Sequence, residues 1–218
     1  LGQDHCDRYL YDYFSADIPG PWTASSIEGL DLIPGSIDSA GLEREISEHD
    51  RLKRMISQAD HDYVVIDTPP GLGFLTTNAL VASHHIVVPV QAEYLALEGL
   101  SLMLETVSRV RELYNPALDV GILLTMHDPR LRLSRAVEDE VRGKLGDVEY
   151  LSVFETVIPR SVRLAEAPSY GLPALLYDPG APGTEAYMDL AREVMNYETS
   201  GTWKRVGCDP SAEAAIAV

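Results

Sequence analysis

The 218-residue chain is poor in cysteine, lysine and long apolar runs, and each shortage narrows what it can be. Its two cysteines, Cys6 and Cys208, make no disulfide framework, so folding is expected to rest on a hydrophobic core in a reducing compartment. No stretch approaches the roughly 18 uncharged apolar residues of a membrane-spanning helix. Lysine occurs only at Lys53, Lys144 and Lys204, and the other 14 basic residues are arginines. Against 17 basic residues stand 34 acidic ones, a formal charge of -17. That balance argues against tight overall attraction to a polyanion, because nucleic acids bind through cations that neutralise phosphates. It fits a protein kept in solution at high salt, and an arginine-preferring, high-GC genome fits the composition equally well. What is plentiful is apolar residue, 45% of the chain, enough for the core of one ordinary domain.

From Asp60 onward, apolar runs alternate with amphipathic stretches. Tyr63 to Asp67, Ile86 to Val90, Val120 to Met126 and Phe154 to Pro159 read as strands, with Leu30 to Ile33 a further candidate upstream. Near-continuous apolar strands predict a mostly parallel sheet buried on both faces. Between them, Leu42, Ile46, Leu52 and Met55 mark one helix on a polar background. Tyr94 to Leu113 carries apolar residues near a 3.6 period, Ser134 to Leu145 starts on a candidate serine cap, and Tyr187 to Val194 closes the regular part. This alternation predicts βαβ units and a doubly wound α/β fold. The chain from Tyr197 on reads as a flexible tail.

Ligands of open parallel sheets bind beyond the carboxyl ends of the strands. The first such end reads Val64-Val65-Ile66-Asp67-Thr68-Pro69-Pro70. An apolar strand closing on Asp is the Walker B pattern, whose carboxylate holds Mg²⁺ through water beside nucleotide phosphates. The same residues also suit a plain turn, since Asp starts turns and Pro-Pro stops a strand.

The strings DYVVIDTPPGLGFLTTNAL, VPVQAEYLALEGLSLML, GILLTMHDPRLRLSRAVEDEVR and FETVIPRSVRLAEAPSYGLPALLYDPGAPGTEAYMDLA extend this pattern. In order and spacing they resemble the ParA partition ATPases of the deviant Walker A group, which also includes MinD, from about Gly29 to Val194. The resemblance implies a P-loop NTPase-like sheet and a domain over residues 1–196, followed by a tail over 197–218. It makes Asp67 the Walker B carboxylate, with Mg²⁺ held through water. Thr68, Pro69, Pro70, Gly71 and Gly73 become the switch II segment that responds to the γ-phosphate, although Gly71 stands where the family commonly has Ser. Thr125, Met126, Pro159 and Arg160 fall where the family builds its adenine pocket. Arg130 and Arg163 fall where it carries basic contacts to non-specific DNA. The implied cofactors are ATP and Mg²⁺, and the implied partners are non-specific DNA, a ParB-like protein and a second copy in an ATP-dependent homodimer. The implied location is the cytoplasm, on the nucleoid.

The charge distribution supplies a check. Residues 128–163 hold seven basic and seven acidic residues, so the remainder of the chain carries the whole -17. A neutral, arginine-bearing segment on an acidic protein fits weak, salt-sensitive phosphate contact rather than sequence-specific reading.

One family element is absent from the 218 residues. No Gly-Lys-Thr or Gly-Lys-Ser occurs, and Gly143-Lys144-Leu145 lacks the hydroxyl and glycine context of a phosphate loop. Leu1-Gly2 matches the end of the Gly-Asn-Ala-Thr-Ser-Gly-Leu-Gly string that follows the family's Asp-rich segment. With a residue other than Met at position 1, the sequence reads as lacking an N-terminal βαβ piece of roughly 30–45 residues. Such a chain is expected to be inactive in hydrolysis, and to expose unpaired strand edges and apolar surface. Two alternatives follow: a nucleotide-independent, ParA-like adaptor, and a MinD-like positioning ATPase. The latter predicts a basic amphipathic end, whereas Gly201 to Arg205 offers one Trp and two cations before Asp209-Pro210 interrupts it, so no stable membrane association is expected.

Overall fold

β-Branched and apolar side chains at alternate positions build the five-stranded sheet at the centre of the computed structural model, which describes residues 9–18, 22–36, 48–145, 148, 150–200 and 214–217. Its strands are β3 (Tyr63–Ile66), β4 (His85–Gln91), β5 (Asp119–Thr125), β6 (Leu151–Val153) and β7 (Ala214–Ala217). They lie in the order β3-β7-β4-β5-β6, and every pairing is parallel. The helices are α1 (Leu10–Ala16), α2 (Arg51–Ile56), α3 (Phe74–Ala82), α4 (Ala96–Leu113), α5 (Arg132–Leu145), α6 (Val162–Glu166), α7 (Ala174–Tyr177) and α8 (Pro182–Ser200). Among the described residues, no helix is long and apolar enough to cross a membrane.

The two-residue period sorts side chains to opposite faces. Ile86, Val88 and Val90 of β4, with Val120, Ile122 and Leu124 of β5, pack against Leu80 of α3, Val107 and Val110 of α4, and Val137 and Val141 of α5. Val87 and Leu123 point the other way, onto Phe154, Ile158 and Ile216, and are backed by Leu190 and Val194 of α8. Helices therefore cover both faces, as the doubly wound expectation requires. That cover stops at β3, where Val65 remains 65% exposed because the second-face cluster reaches only β4, β5 and β7.

Several expectations are corrected. The run Leu30 to Ile33 does not join the main sheet. Asp31–Leu32 (β2) pairs antiparallel with Thr23–Ala24 (β1) in a separate two-stranded ribbon. The fourth strand is β6, upstream of the Phe154 to Pro159 run. Phe154 and Ile158 still donate backbone N–H groups to the carbonyls of Ile122 and Leu124, but the chain leaves the ladder between them. Ser134 is not a helix cap: α5 begins at Arg132, and the buried Ser134 hydroxyl donates to the carbonyl of Ala92. The tail beginning at Tyr197 starts as the last turn of α8, and its residues Ala214–Ala217 form a strand inside the sheet. Leu42 and Ile46 lie outside the described residues, as do the tail cations Lys204 and Arg205.

Asn78 joins α2 to α3 from a fully buried position. Its Oδ1 accepts the N–H of Leu52, and its Nδ2 donates to the carbonyls of Glu48 and Phe74. A buried amide costs little when satisfied this way, and its hydrogen bonds make it selective for one packing of the two helices.

Candidate functional site

The carboxyl ends of β3, β4 and β5 lie at one rim of the sheet because the strands are parallel and in register. Asp67 follows β3 directly and is exposed at that rim. Asp67, Thr68, Pro69, Pro70 and Gly71 line one side of a pocket of about 360 Å³, whose other side is the stretch Ile86 to Pro89 of β4. Gly73, grouped with them in the sequence, does not line the pocket. It is the N-cap residue of α3, and its carbonyl accepts the N–H of Thr77.

Gly71 has a φ of 135°, in the region that favours glycine, which gives a local reason for glycine where the family commonly carries Ser. Its carbonyl is held by the Thr76 hydroxyl at 2.7 Å, so the first turn of α3 ties down the proline-rich segment. Nothing in the TTNAL string signals that tie, because it depends on the turn that brings residues 71 and 76 together.

Thr125, Met126, Pro159 and Arg160 form a second assembly. His127 bridges Pro159 in parallel fashion, its N–H donates to the Ile158 carbonyl, and the Arg160 N–H returns to the His127 carbonyl. Between these clamps Met126 takes a φ of 54°, a conformation that costs free energy for a side-chain-bearing residue and persists when its surroundings impose it. With β7 and β4 interposed, this assembly stands roughly 14 Å from β3 at ~4.8 Å per strand. The sequence-predicted residues are thus brought to one rim in two groups. The Arg160 guanidinium reaches back to Glu93, 3.5 Å away in the loop after β4.

The two DNA-contact candidates differ. Arg130 follows the clamp on the β5–α5 loop, and its side chain is 92% exposed, with Asp128 at 3.9 Å. Arg163 lies on α6 and is engaged by Glu166 at 2.9 Å and Asp178 at 3.4 Å. A phosphate reaching Arg163 must displace carboxylates, whereas Arg130 meets solvent.

Glu193 of α8 was not visible from the sequence. Its carboxylate accepts the N–H groups of Glu155 at 2.7 Å and Thr156 at 2.9 Å, and the Tyr197 hydroxyl at 3.1 Å. It thereby anchors the segment that leads to Pro159 and Arg160. Burial pushes its carboxyl upward, but these hydrogen bonds outweigh burial and hold it below the ordinary glutamate range. Burial and the Glu193 charge together push the Tyr197 hydroxyl up to about 12. A lowered carboxyl pKa contributes stability above its unfolded-state value, and that contribution fades as pH falls through the folded value. Thermal melts of the native protein and Glu193→Gln, taken from about pH 6 to about pH 3, are therefore expected to converge as pH falls. A constant gap would assign the anchor to shape rather than charge.

The donor set fits part of a nucleotide site. A single exposed carboxylate at a strand end suits Mg²⁺, which takes one or two carboxylates and completes its shell with water and phosphate oxygens. No group of three potential metal-ligating side chains occurs among the described residues, so an all-protein metal cage is not formed there. The phosphate-cradling half does not fit, because none of the 218 residues forms a glycine-lysine loop. These residues do not make a complete nucleotide site by themselves.

Comparison with known proteins places this arrangement. Residues 3–120 match the family described as an AAA domain. The chain is 47% identical over 205 residues to the sporulation initiation inhibitor protein Soj of Bacillus subtilis, covering 89% of this chain and 79% of that protein. It is 42% identical over 209 residues to the chromosome partitioning protein ParA of Caulobacter vibrioides, covering 91% and 77%. Cobyrinic acid a,c-diamide synthase from Mycobacterium smegmatis, solved with bound ADP and magnesium, superposes with a TM-score of 0.74 at 31% identity, over 91% of this chain and 75% of that one. A plasmid partition protein from Borrelia burgdorferi shares the fold, with a TM-score of 0.62 at 20% identity, over 86% and 72%. The likeness in sequence to partition proteins runs over most of the chain, and the chain belongs to the ParA family of partition ATPases.

Proposed function

We propose that this chain serves chromosome or plasmid partition through an ATP-dependent homodimer that binds DNA non-specifically, with hydrolysis stimulated by a ParB-like protein, in the cytoplasm on the nucleoid. Residues 1–196 act as the ATPase domain, to whose sheet residues 214–217 add a strand. Asp67 is the Mg²⁺-holding carboxylate, and the segment Thr68 to Gly73 is the switch that senses the γ-phosphate. Thr125, Met126, Pro159 and Arg160 form the base-binding wall, and Arg130 and Arg163 meet DNA phosphates. The observation that carries this reading is the pocket between Asp67–Gly71 and β4, at the rim of a parallel sheet in a chain 47% identical to Soj. When bound, the nucleotide–magnesium pair supplies the phosphoryl chemistry, and this chain's residues bind, orient and exclude water.

The 218 residues alone are expected to hydrolyse no ATP above background, since phosphoryl transfer depends on backbone and lysine contacts that they do not contain. That same absence supports a second reading, a nucleotide-independent adaptor. Expression from the whole reading frame separates the two, because the adaptor binds its partner equally with and without ATP.

The DNA assignment is tested on the whole-reading-frame protein by titrating duplex DNA with ATP and Mg²⁺ over a range of salt. Arg130→Ala and Arg163→Ala are each expected to weaken binding regardless of sequence and to lower the salt slope by about 1. Slopes unchanged in both variants would remove these arginines from the interface.

A further inference from the structure

Two i, i+4 ion pairs on α5 look equivalent in sequence and differ in what else they touch. Glu140–Lys144, at 2.7 Å, is solvated, with the lysine side chain 72% exposed. Such a pair contributes little. Glu138–Arg142, at 3.1 Å, is half-buried, and each partner has a second contact off the helix. The free carboxylate oxygen of Glu138, Oε2, lies 3.1 Å from Nε2 of His127, whose side chain is only 11% exposed. The Arg142 guanidinium donates to the carbonyl of Glu155 at 3.4 Å.

These contacts reach the two halves of one assembly. His127 follows Met126 directly, and Glu155 leads through Thr156 to Pro159 and Arg160. The halves are clamped to each other by the His127 and Arg160 N–H groups. Behind the clamp, α5 touches one half through Glu138 and the other through Arg142, and the ion pair joins the two grips. Glu193 of α8 takes the N–H of Glu155, so that residue is held through both its N–H and its carbonyl. What the bracket holds is strained. Met126 keeps a φ of 54° while remaining 43% exposed, so its left-handed turn does not serve burial in either core. Strain that packing does not require persists where the surroundings impose it, and such positions cluster at ligand sites.

We propose that Glu138 and Arg142 are positioning residues for the nucleotide base, holding Met126–His127 and the segment 155–160 at the spacing the base requires. The inference rests on the partition reading, which makes Thr125, Met126, Pro159 and Arg160 the base-binding wall. That wall stands roughly 14 Å from β3 at ~4.8 Å per strand, so the bracket acts on the base and not on the phosphates beside Asp67. A base gripped equally in the ground and transition states sets affinity and leaves the chemical step alone.

The test uses the whole-reading-frame protein with Mg²⁺. Glu138→Gln and Arg142→Gln are each expected to raise the dissociation constant of ATP at least about threefold and to keep kcat within about twofold. Binding of tripolyphosphate, which offers phosphates without a base, is expected to be unchanged. Glu140→Gln, which breaks the solvated pair on the same helix, is expected to alter none of these. Without nucleotide, hydrogen exchange is expected to quicken at the His127 and Arg160 amides in both bracket variants and to spare Val120 to Leu124 of β5. Unmoved ATP affinity, equal weakening of ATP and tripolyphosphate, or unchanged exchange at His127 and Arg160 would each overturn the inference. A native protein that binds no ATP would remove the partition reading and this inference with it, so the two failures are told apart by the native protein alone.

Discussion

Phe154→Ala is expected to destabilise the protein by about 3–5 kcal/mol, enough to lower its melting temperature by roughly 10 °C. Phe154 is fully buried at the junction of three elements. Its backbone N–H continues the β6 ladder onto Ile122, and its ring packs among Val87, Leu123 and Ile158. That ring also meets Tyr197 of α8 edge-on, with centroids 5.8 Å apart. Truncation removes a large apolar surface from the smaller of the two cores, where few neighbours can collapse into the void. Domains are typically stable by only about 5–15 kcal/mol, so the loss is a large fraction of the whole. Chemical denaturation of the two proteins measures it directly. A loss below about 1 kcal/mol would mean that α8 does not depend on this ring for its seat on the sheet. Because the residue immediately precedes the segment held by Glu193, the variant is also expected to loosen Pro159 and Arg160.

In the protein expressed from its whole reading frame, Asp67→Ala is expected to reduce ATP turnover on the order of 100-fold or more while leaving the melting temperature nearly unchanged. The residue is exposed at a strand end, so its removal opens no cavity in either core. Its expected contribution is negative charge where a hydrated cation and phosphate oxygens would meet. Asp67→Asn keeps the shape and removes the charge, so a similar loss in both variants assigns the effect to charge. Turnover within about twofold of the native protein would remove Asp67 from the site. Raising Mg²⁺ is expected to recover part of the activity, because a weakened cation site responds to mass action.

Much of this protein was legible before any coordinate. The runs at residues 63–67, 86–90 and 120–126 became β3, β4 and β5, and the periodic stretches over 94–113 and 134–145 became α4 and α5, within a few residues. Asp67 was placed at a strand end by a local pattern, and the parallel sheet carried that end to the rim. Family membership was readable for the same reason: motif strings are contiguous, and their order survives in sequence.

Other features depended on partners distant in sequence. Whether Leu30 to Ile33 joins the main sheet or an antiparallel ribbon is decided by what pairs with it, and periodicity does not encode a partner. The Phe154 to Pro159 run was apolar enough for a strand, yet the β5 carbonyls and the Glu193 carboxylate divide its backbone hydrogen bonds. Arg130 and Arg163 each have an acid nearby in sequence, Asp128 and Glu166, and only the fold adds Asp178 to the second. The Ala-rich end has the composition of a tail, and it becomes a strand because β3 and β4 stand one strand apart. The sequence alone determined the elements, the family and the carboxylate at the strand end, since these follow from local period and contiguous motif. The tertiary structure decided that Asp178 reaches Arg163, what anchors the loop carrying Pro159 and Arg160, and what lies between β3 and β4, since each joins groups distant in sequence that only folding brings together.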